Sequence, residues 1–313
     1  MDILKQVSNI GIVPVIAIDD ASKAVPLAKA LAAGGLPAAE VTFRTAAAED
    51  AIRAIVQEVP EMLVGAGTVI TTEQADRAMA AGATFIVAPG YDPKVTQHVL
   101  DKGGIMMPGT ASAGEMQQAM NQGCQVIKYF PAEANGGVAM LKNIGAALKG
   151  AKWMCTGGVS AKNVNDYLGY SQIVAVGGTW MCKKELIEGE KWDEITAMCK
   201  EAVKTMLGFS LAHVGLNCEN EAEAEQSAKT LCALFGFEYK PGNSSIFAGS
   251  AVECMKSPYL GKNGHIAIAT NSLDRAVYHL GRQGVEFDES TRKPKAIYLK
   301  QEVGGFAIHL VQR

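Results

Sequence analysis

A single lysine lies within an apolar run of the chain, and its chemistry depends on whether it is buried. Lys128 stands in the segment Gln125-Val-Ile-Lys-Tyr-Phe-Pro131, whose composition is typical of a short β-strand that ends at a proline. Burial disfavours the ammonium form of a lysine, and a neutral amine near pH 7 can attack a ketone to form a Schiff base. A lysine at a strand end can instead reach water along its aliphatic stem. The other apolar segments decide between these interpretations.

Polar residues stand at matching places in two of those segments. Glu40 lies in an otherwise apolar stretch, and Arg44 follows four residues later at the end of the same segment. A buried carboxylate suits a general acid/base that passes protons to a substrate on Lys128, although a structural ion pair is the alternative. Arg44 could hold a carboxylate through two parallel hydrogen bonds, unless it is a surface arginine. Thr68 could add a hydroxyl to that carboxylate site, although a threonine in a turn often bonds only local backbone.

Two glycine-rich turns, Thr156-Gly-Gly158 and Gly177-Gly-Thr179, lie at the ends of the apolar segments 153–159 and 173–180. Their backbone amides, facing the N-terminus of a following helix, could hold phosphate, although either turn alone could be an ordinary strand-to-helix connection. Phe130 could form an apolar wall beside the lysine, or simply pack in the interior. The predicted substrate-binding residues are therefore Arg44, Thr68, Pro89 (at the end of the fourth segment), Phe130, Thr156, Gly157, Gly158, Gly177, Gly178 and Thr179.

These residues need elements that bring strand ends together, and the chain supplies a regular alternation. Apolar segments at 10–18, 38–43, 62–69, 84–90, 104–110, 125–131, 153–159 and 173–180 predict eight strands. Ala-rich stretches with helical periodicity separate them. Eight short β/α units in about 200 residues predict an α/β fold of the (β/α)8 TIM barrel type, in which the active site lies at the carboxyl ends of the strands.

Composition excludes several classes of function. The 313 residues have 48% hydrophobic and 19% charged content and a formal net charge of −3, which is typical of an ordinary soluble protein without a basic patch for nucleic acid. The chain shows no leader pattern at its start and no apolar run of membrane-spanning length, so we expect a cytoplasmic protein. Seven scattered cysteines without CxxC pairs favour reduced thiols over disulfides or a zinc knuckle.

Four motifs resemble a known family over roughly residues 2–207. Glu40-Val-Thr-Phe-Arg44-Thr, Val64-Gly-Ala-Gly-Thr68-Val, Lys128-Tyr-Phe-Pro-Ala-Glu133-Ala-Asn-Gly-Gly and Cys155-Thr-Gly-Gly-Val-Ser160 are similar to the 2-keto-3-deoxy-6-phosphogluconate aldolases, which also act on 4-hydroxy-2-oxoglutarate. Tyr129 and Thr179 depart mildly, since relatives often have Phe and Ser there.

This resemblance implies a class I aldolase of the Entner-Doudoroff pathway. Lys128 would be the Schiff-base lysine and Glu40 the proton donor and acceptor, with Arg44 and Thr68 at the substrate carboxylate and the glycine-rich turns at the phosphate. The products would be pyruvate and glyceraldehyde 3-phosphate, or pyruvate and glyoxylate from 4-hydroxy-2-oxoglutarate. No cofactor is expected in the barrel, because the protonated imine serves as the electron sink. The resemblance also implies a homo-oligomer, expected to be a trimer.

The last third of the chain changes character. Strand, helix and then several strands are predicted twice after Gly208, from Phe209 to Met255 and from His265 to Val311, as an internal repeat of roughly 50 residues. This predicts a smaller α+β domain of paired βαβββ modules at 208–313, after a barrel at 1–207. Over residues 208–313 the arrangement resembles the vicinal oxygen chelate family, which includes glyoxalases.

That second resemblance implies a metal site. Ligands in that family come from the first and last strands of each module, and those places hold His213, Glu253, His265 and His309. Such ligands would suit Zn, Ni, Mn or non-haem Fe(II). The alternative is four unrelated polar residues in a metal-free binding module.

Three functions remain open from the sequence. The first is an aldolase whose C-terminal domain serves regulation, assembly or substrate channelling. The second is a bifunctional protein with a metal-dependent glyoxalase-like activity in that domain. The third is a barrel that only senses sugar acids, against which the intact Lys128, Glu40 and Arg44 argue.

Overall fold

Short parallel strands alternate with helices through the first two thirds of the chain. The computed structural model describes residues 2–313, which divide into two units between Met206 and Leu207. The strands of the first unit are β1 (Ile12–Ile16), β2 (Ala38–Thr42), β3 (Leu63–Gly67), β4 (Phe85–Val87), β5 (Met106–Met107), β6 (Gly109–Thr110), β7 (Ile127–Tyr129), β8 (Trp153–Thr156) and β9 (Ile173–Gly178). Its helices are α1 (Ile3–Ile10), α2 (Ala24–Ala33), α3 (Ala48–Glu58), α4 (Thr72–Ala80), α5 (Pro93–Asp101), α6 (Ala113–Asn121), α7 (Gly137–Ala147), α8 (Val164–Leu168), α9 (Lys184–Glu188) and α10 (Trp192–Leu207).

The strand order shows how this sheet curls back on itself. The strands pair in parallel in the order β5-β4-β3-β2-β1-β9-β8-β7-β6. The two end strands, β5 and β6, are consecutive in the chain and only Pro108 separates them. A proline has no N–H to donate to a strand ladder, so Pro108 interrupts what would otherwise be one strand. The predicted fifth strand is thus two short pieces, and the unit is a nearly closed, TIM-like α/β barrel. This confirms the predicted fold class for the first unit.

Buried strands and capped helices explain why this sequence forms the barrel. Every residue of β1, β2 and β3 is buried, as expected of parallel strands that are covered on both faces. Trp153, Tyr129 and Phe85 are among its largest fully buried side chains. Ser112 and Glu115 form a reciprocal capping box that begins α6. No helix in residues 2–313 is long and apolar enough to cross a bilayer, and the seven cysteines are free thiols.

The second unit is a mixed sheet with two helices. Its strands are β10 (Ser210–Asn217), β11 (Tyr239–Pro241), β12 (Ser245–Ala248), β13 (Val252–Met255), β14 (Gly264–Thr270), β15 (Phe287–Lys293), β16 (Ala296–Val303) and β17 (Phe306–Gln312), and its helices are α11 (Glu221–Phe235) and α12 (Leu273–Gly281). The order is β11-β12-β13-β10-β14-β17-β16-β15. Each half therefore runs strand, helix, three strands, and the first strands of the halves, β10 and β14, pair antiparallel at the centre.

Candidate active site

Lys128 and Glu40 form a buried pair in the first unit. Lys128 lies on β7 and Glu40 on β2, and Nζ of the lysine is 3.0 Å from Oε1 of the carboxylate. Lys128 is 5% exposed and Glu40 is 1% exposed, so little water reaches either group. Transfer of one proton along this hydrogen bond would convert the ammonium and carboxylate into a neutral amine and a carboxylic acid. The lysine therefore does not snorkel to the surface, and its proton has an acceptor at hand.

Small residues on neighbouring strands make room for this pair. A Cβ added at Gly67 on β3 would overlap the Glu40 carboxylate, so only a glycine allows the side chain to lie there. Gly109 pairs with Lys128 across β6 and β7, and a Cβ there would overlap the backbone of Pro89. The ring of Phe130 lies 5.4 Å from Nζ of Lys128, within the range of a cation–π contact.

A cavity of about 320 Å³ opens beside the pair. All twelve catalytic and substrate-binding residues predicted from the sequence line it: Glu40, Arg44, Thr68, Pro89, Lys128, Phe130, Thr156, Gly157, Gly158, Gly177, Gly178 and Thr179. Three residues that the sequence analysis missed, Val15, Thr42 and Val159, also line it. The strand ends therefore meet at one mouth, as the barrel architecture requires.

Thr42 could have been found from strand periodicity. Glu40, Thr42 and Arg44 are spaced by two residues, and side chains at that spacing share one face of a strand. The hydroxyl of Thr42 donates to the carbonyl of Ile16 at 2.8 Å and accepts from Nε of Arg44 at 3.1 Å. This chain of hydrogen bonds fixes the base of the guanidinium, which is otherwise exposed and free to meet an anion.

The glycine turn after β8 brings backbone atoms to the cavity. Gly157 and Gly158 have φ values of +100° and +81°, which favour glycine, and they present main-chain atoms to the cavity. The following helix, α8, begins at Val164, and phosphate binding by this turn with a helix N-terminus stays a prediction. Beside the side chains of Arg44 and Thr156, the cavity thus has peptide groups of this turn in its lining.

Glu133 packs against the turn formed by Gly157 and Gly158. The backbone N–H of Glu133 donates to the carbonyl of Gly157 at 3.0 Å, and a Cβ at Gly158 would overlap the Glu133 side chain. The hydroxyl of Tyr167 donates to the Glu133 carboxylate, and burial together with that bond raises the pKa of Tyr167. Nδ2 of Asn163 donates to the carbonyl of Gly158 at 3.1 Å. The turn is therefore held in one shape.

Two buried polar atoms of this cavity have no partner within residues 2–313. They are Oε2 of Glu40 and Oγ1 of Thr156, and both residues line the cavity. Buried polar groups in folded proteins are nearly always hydrogen-bonded, so such exceptions need an explanation. A polar ligand in the cavity would satisfy both.

A second cluster of titratable side chains lies in the second unit. The strand register puts His213, Glu253, His265 and His309 on one sheet face, because Gly215 pairs with both Glu253 and His265 while Ala267 pairs with both His213 and His309. A Cβ at Gly215 would overlap the ring of His265. Small residues between the four side chains thus leave space for them to converge.

Two ring nitrogens and one carboxylate oxygen of this cluster form a nearly equilateral triangle. Nε2 of His213 is 3.1 Å from Nε2 of His265, and Oε2 of Glu253 is 3.2 Å and 3.1 Å from those two nitrogens. The fourth predicted residue, His309, has a ring nitrogen within 4.8 Å of the ligating nitrogens of the other two histidines. Both of its nitrogens are buried without a partner among the described residues. The structure therefore brings all four predicted ligands together.

The electrostatics of the cluster follow from burial and from these contacts. Burial disfavours the charged form of Glu253, but hydrogen bonds from His213, His265 and Ser245 outweigh it and hold the pKa of its carboxyl far below the usual value. Burial, assisted by the two neighbouring histidines, lowers the pKa of His309 to about 4. An ionised carboxylate beside a neutral imidazole is the protonation state in which such side chains bind metal ions.

Comparisons with known proteins give a consistent result for the barrel. Residues 3–198 match the family model for KDPG and KHG aldolases, where KDPG is 2-keto-3-deoxy-6-phosphogluconate. The 2-dehydro-3-deoxy-phosphogluconate aldolase of Treponema pallidum is 40% identical over 202 residues, which are 64% of this chain and 96% of that protein. The family match ends at residue 198 and leaves the second unit outside it.

Solved structures agree with this match. KDPG aldolase from Legionella pneumophila, captured with pyruvate as a covalent carbinolamine intermediate, is 36% identical and superposes with a TM-score of 0.62, covering 64% of this chain and 97% of that one. The Zymomonas mobilis enzyme with 3-phosphoglycerate is 36% identical with a TM-score of 0.58, covering 64% and 94%.

Proposed function

Because this chain belongs to the KDPG and KHG aldolase family, we propose that it cleaves 2-dehydro-3-deoxy-6-phosphogluconate to pyruvate and glyceraldehyde 3-phosphate through a Schiff base on Lys128. The chain is a carbon–carbon lyase, as its relatives are. The observation that carries the proposal is the buried contact between Nζ of Lys128 and Oε1 of Glu40, which opens onto a cavity with a cation at one side and bare backbone at the other.

Substrate orientation follows from the cavity lining. The carboxylate of the substrate meets the exposed guanidinium of Arg44, with Thr68 beside it, and this sets the C2 ketone near Lys128. Thr68 has a φ of +57°, a strained value for a threonine, which is often retained where a site needs the resulting direction. The phosphate end lies at the turns of Gly157, Gly158 and Gly178, a common phosphate position in barrels.

Glu40 moves the protons of each step. It takes a proton from the Lys128 ammonium, and the neutral amine adds to C2 to form a carbinolamine. Returning that proton to the departing hydroxyl releases water and leaves an iminium. The carboxylate then removes the proton of the C4 hydroxyl, the C3–C4 bond breaks toward the iminium nitrogen, and the aldehyde leaves. Protonation of the enamine at C3 and hydrolysis release pyruvate and restore the lysine.

Release of pyruvate, coupled to lactate dehydrogenase, tests this proposal. The wild-type protein should turn over KDPG, and Lys128→Met should not. Lys94→Met, at an exposed lysine on α5, is the matched control and should behave as the wild type. A Lys128→Met protein that still turns over KDPG would contradict the assignment.

The same pyruvate site would accept 4-hydroxy-2-oxoglutarate, which would give pyruvate and glyoxylate. This substrate has a carboxylate in place of the phosphate arm and makes fewer contacts with the glycine turns. We therefore expect a higher kcat/KM for KDPG, measured with both substrates in the same coupled assay.

We also expect a trimer in the cytoplasm, and sedimentation equilibrium of the purified protein would test the subunit number.

A second function, for the second unit, is supported by the triangle of His213, His265 and Glu253. Two ligands about 2.0–2.1 Å from a tetrahedral metal ion lie roughly 3.3 Å apart, close to the separations in the triangle. The two Nε2 atoms face each other at 3.1 Å and share the carboxylate of Glu253, and both ring nitrogens of His309 are buried without partners among residues 2–313. The residues therefore fit a divalent ion such as Zn, Ni, Mn or Fe(II). Such an ion would polarise oxygen atoms of a bound molecule, which is the basis of the glyoxalase-like alternative.

Metal analysis of the full-length protein tests this second function. About one ion per chain is expected in the wild type and in the control His98→Ala, since His98 is bonded to Asp76 on the barrel. His265→Ala should lose the ion and keep the wild-type aldolase kcat. A wild-type protein that takes up no divalent ion on titration would exclude a metal-dependent activity.

A further inference from the structure

The sheet face with the three histidines opens into a second cavity, of about 400 Å³, within the size range of small-molecule sites. Its lining combines aromatic and charged side chains. Among the lining residues are Phe247, Tyr259 and Tyr298, two cations, Arg292 and Lys293, and one acid, Glu253.

The cavity lining has two cationic side chains and one acidic side chain, and one of the cations has no ion pair with a carboxylate among the described residues. Glu253 already accepts hydrogen bonds from its two histidine neighbours and, at 2.5 Å, from Ser245. Arg292 is held by Glu289 through contacts of 2.6 and 3.0 Å. For Lys293, by contrast, no ion pair with a carboxylate is found within residues 2–313. Lys293 therefore has no carboxylate within salt-bridge distance among the described residues, and its exposed side chain is available to an anion at the cavity.

The position of Lys293 links that charge to the histidines. It is the last residue of β15 and pairs with Ala296 of β16, the strand that packs beside the one carrying His309. Tyr298 lines the same cavity and stacks on the ring of His309, with the ring centroids 4.6 Å apart.

We propose that this cavity binds a small organic carboxylate, whose negative group pairs with Lys293 while its carbon skeleton packs against Tyr298. The inference rests on the proposed metal function to the extent that a bound ion would add to the positive potential. A neutral molecule of the same shape gains the aromatic contacts but not the ion pair. The site should therefore discriminate by charge.

Calorimetric titration of the full-length protein tests this inference. The barrel site is first blocked by reducing its pyruvate Schiff base with borohydride, so that the barrel takes up no acid. Lactate, malate and citrate are then titrated, each beside its neutral amide, into Mn²⁺-loaded and metal-free protein. Lys293→Met is compared with Lys295→Met, an exposed lysine two residues away that does not line the cavity.

At least one of the acids should bind, with its amide at least tenfold weaker. Lys293→Met should weaken that acid about two- to fivefold, the loss expected for an ion pair with an exposed lysine, and leave the amide unchanged. Lys295→Met should match the wild type.

The inference is overturned if none of the acids binds, if an acid and its amide bind equally, or if both lysine variants behave alike. Failure of the metal function is a separate result, seen as absence of Mn²⁺ uptake. In that event the same titrations on the metal-free protein decide the inference.

Discussion

Single and double substitutions of Lys128 and Glu40 should affect stability and activity differently. Both side chains are almost fully buried, with exposures of 6% and 1%, and their charged atoms are 3.0 Å apart. Removing one partner of such a pair leaves the other buried and uncompensated, which costs about 3–5 kcal/mol. Replacing both with uncharged residues of similar size is often close to neutral. We expect Glu40→Gln and Lys128→Met to lower the free energy of unfolding by this amount, and the double variant to recover most of it.

Activity should not recover. Glu40→Gln keeps the shape of the side chain but cannot accept a proton, so kcat/KM should fall by about 10²–10⁴-fold, the usual contribution of general acid–base catalysis. The double variant also lacks the nucleophile and should be inactive.

Tryptophan fluorescence in urea is a suitable assay for stability, because Trp153, Trp180 and Trp192 all lie in the first unit and report its unfolding alone. Pyruvate release measures activity on the same samples. Additive losses of stability would refute the idea of a buried ion pair. A Glu40→Gln protein within tenfold of the wild-type kcat/KM would refute the proton-transfer role.

Three further substitutions test how the two sites are built. Gly67→Ala should displace the catalytic carboxylate that it would overlap, destabilise the barrel by about 1–3 kcal/mol and lower kcat in the pyruvate assay. Tyr167→Phe removes the hydrogen bond to Glu133 behind the glycine turn, so KM should rise about tenfold for KDPG and stay unchanged for 4-hydroxy-2-oxoglutarate. Gly215→Ala should displace the ring of His265 and weaken metal binding about 10–100-fold in equilibrium dialysis, with aldolase kcat unaffected.

Glycines with open space around them provide the controls. A Cβ at Gly114 on α6 or at Gly281 on α12 meets nothing within 4 Å, so alanine there should leave activity and metal binding as in the wild type. A Gly67→Ala protein as active as Gly114→Ala would contradict the proposed crowding at the carboxylate. Equal KM changes for both substrates of Tyr167→Phe would mean that the tyrosine acts on the whole barrel mouth.

Much of the barrel site was predictable because a residue at the carboxyl end of any barrel strand lies at the same mouth of the barrel. Parallel strands direct all their carboxyl ends to one mouth, so locating Lys128 and Glu40 on strands was enough to place them together. The residues that the prediction missed are of two kinds. Thr42 carried a usable signal, the two-residue spacing from Glu40. The contact between Tyr167 and Glu133 joins residues 34 apart and carries no periodicity, so only the folded structure reveals it.

The second unit was less predictable because antiparallel register decides which side chains meet. The pairing of β10 with β14 is irregular between Leu211 and His213, and a shift of one residue would turn His213 to the opposite face. The sequence does carry signals for the ends of α11, since Asn220 caps its first turn and Gly236 ends it. The convergence of four ligands depended on a register that the sequence alone does not set.

The most direct test of the central claim is to identify the residue that becomes covalently attached to pyruvate. Full-length protein incubated with pyruvate and borohydride, digested and sequenced by mass spectrometry, should carry one reduced pyruvate adduct, on Lys128. Modification of any other lysine, or no modification under conditions where the protein releases pyruvate from KDPG, would contradict a Schiff-base mechanism at this residue.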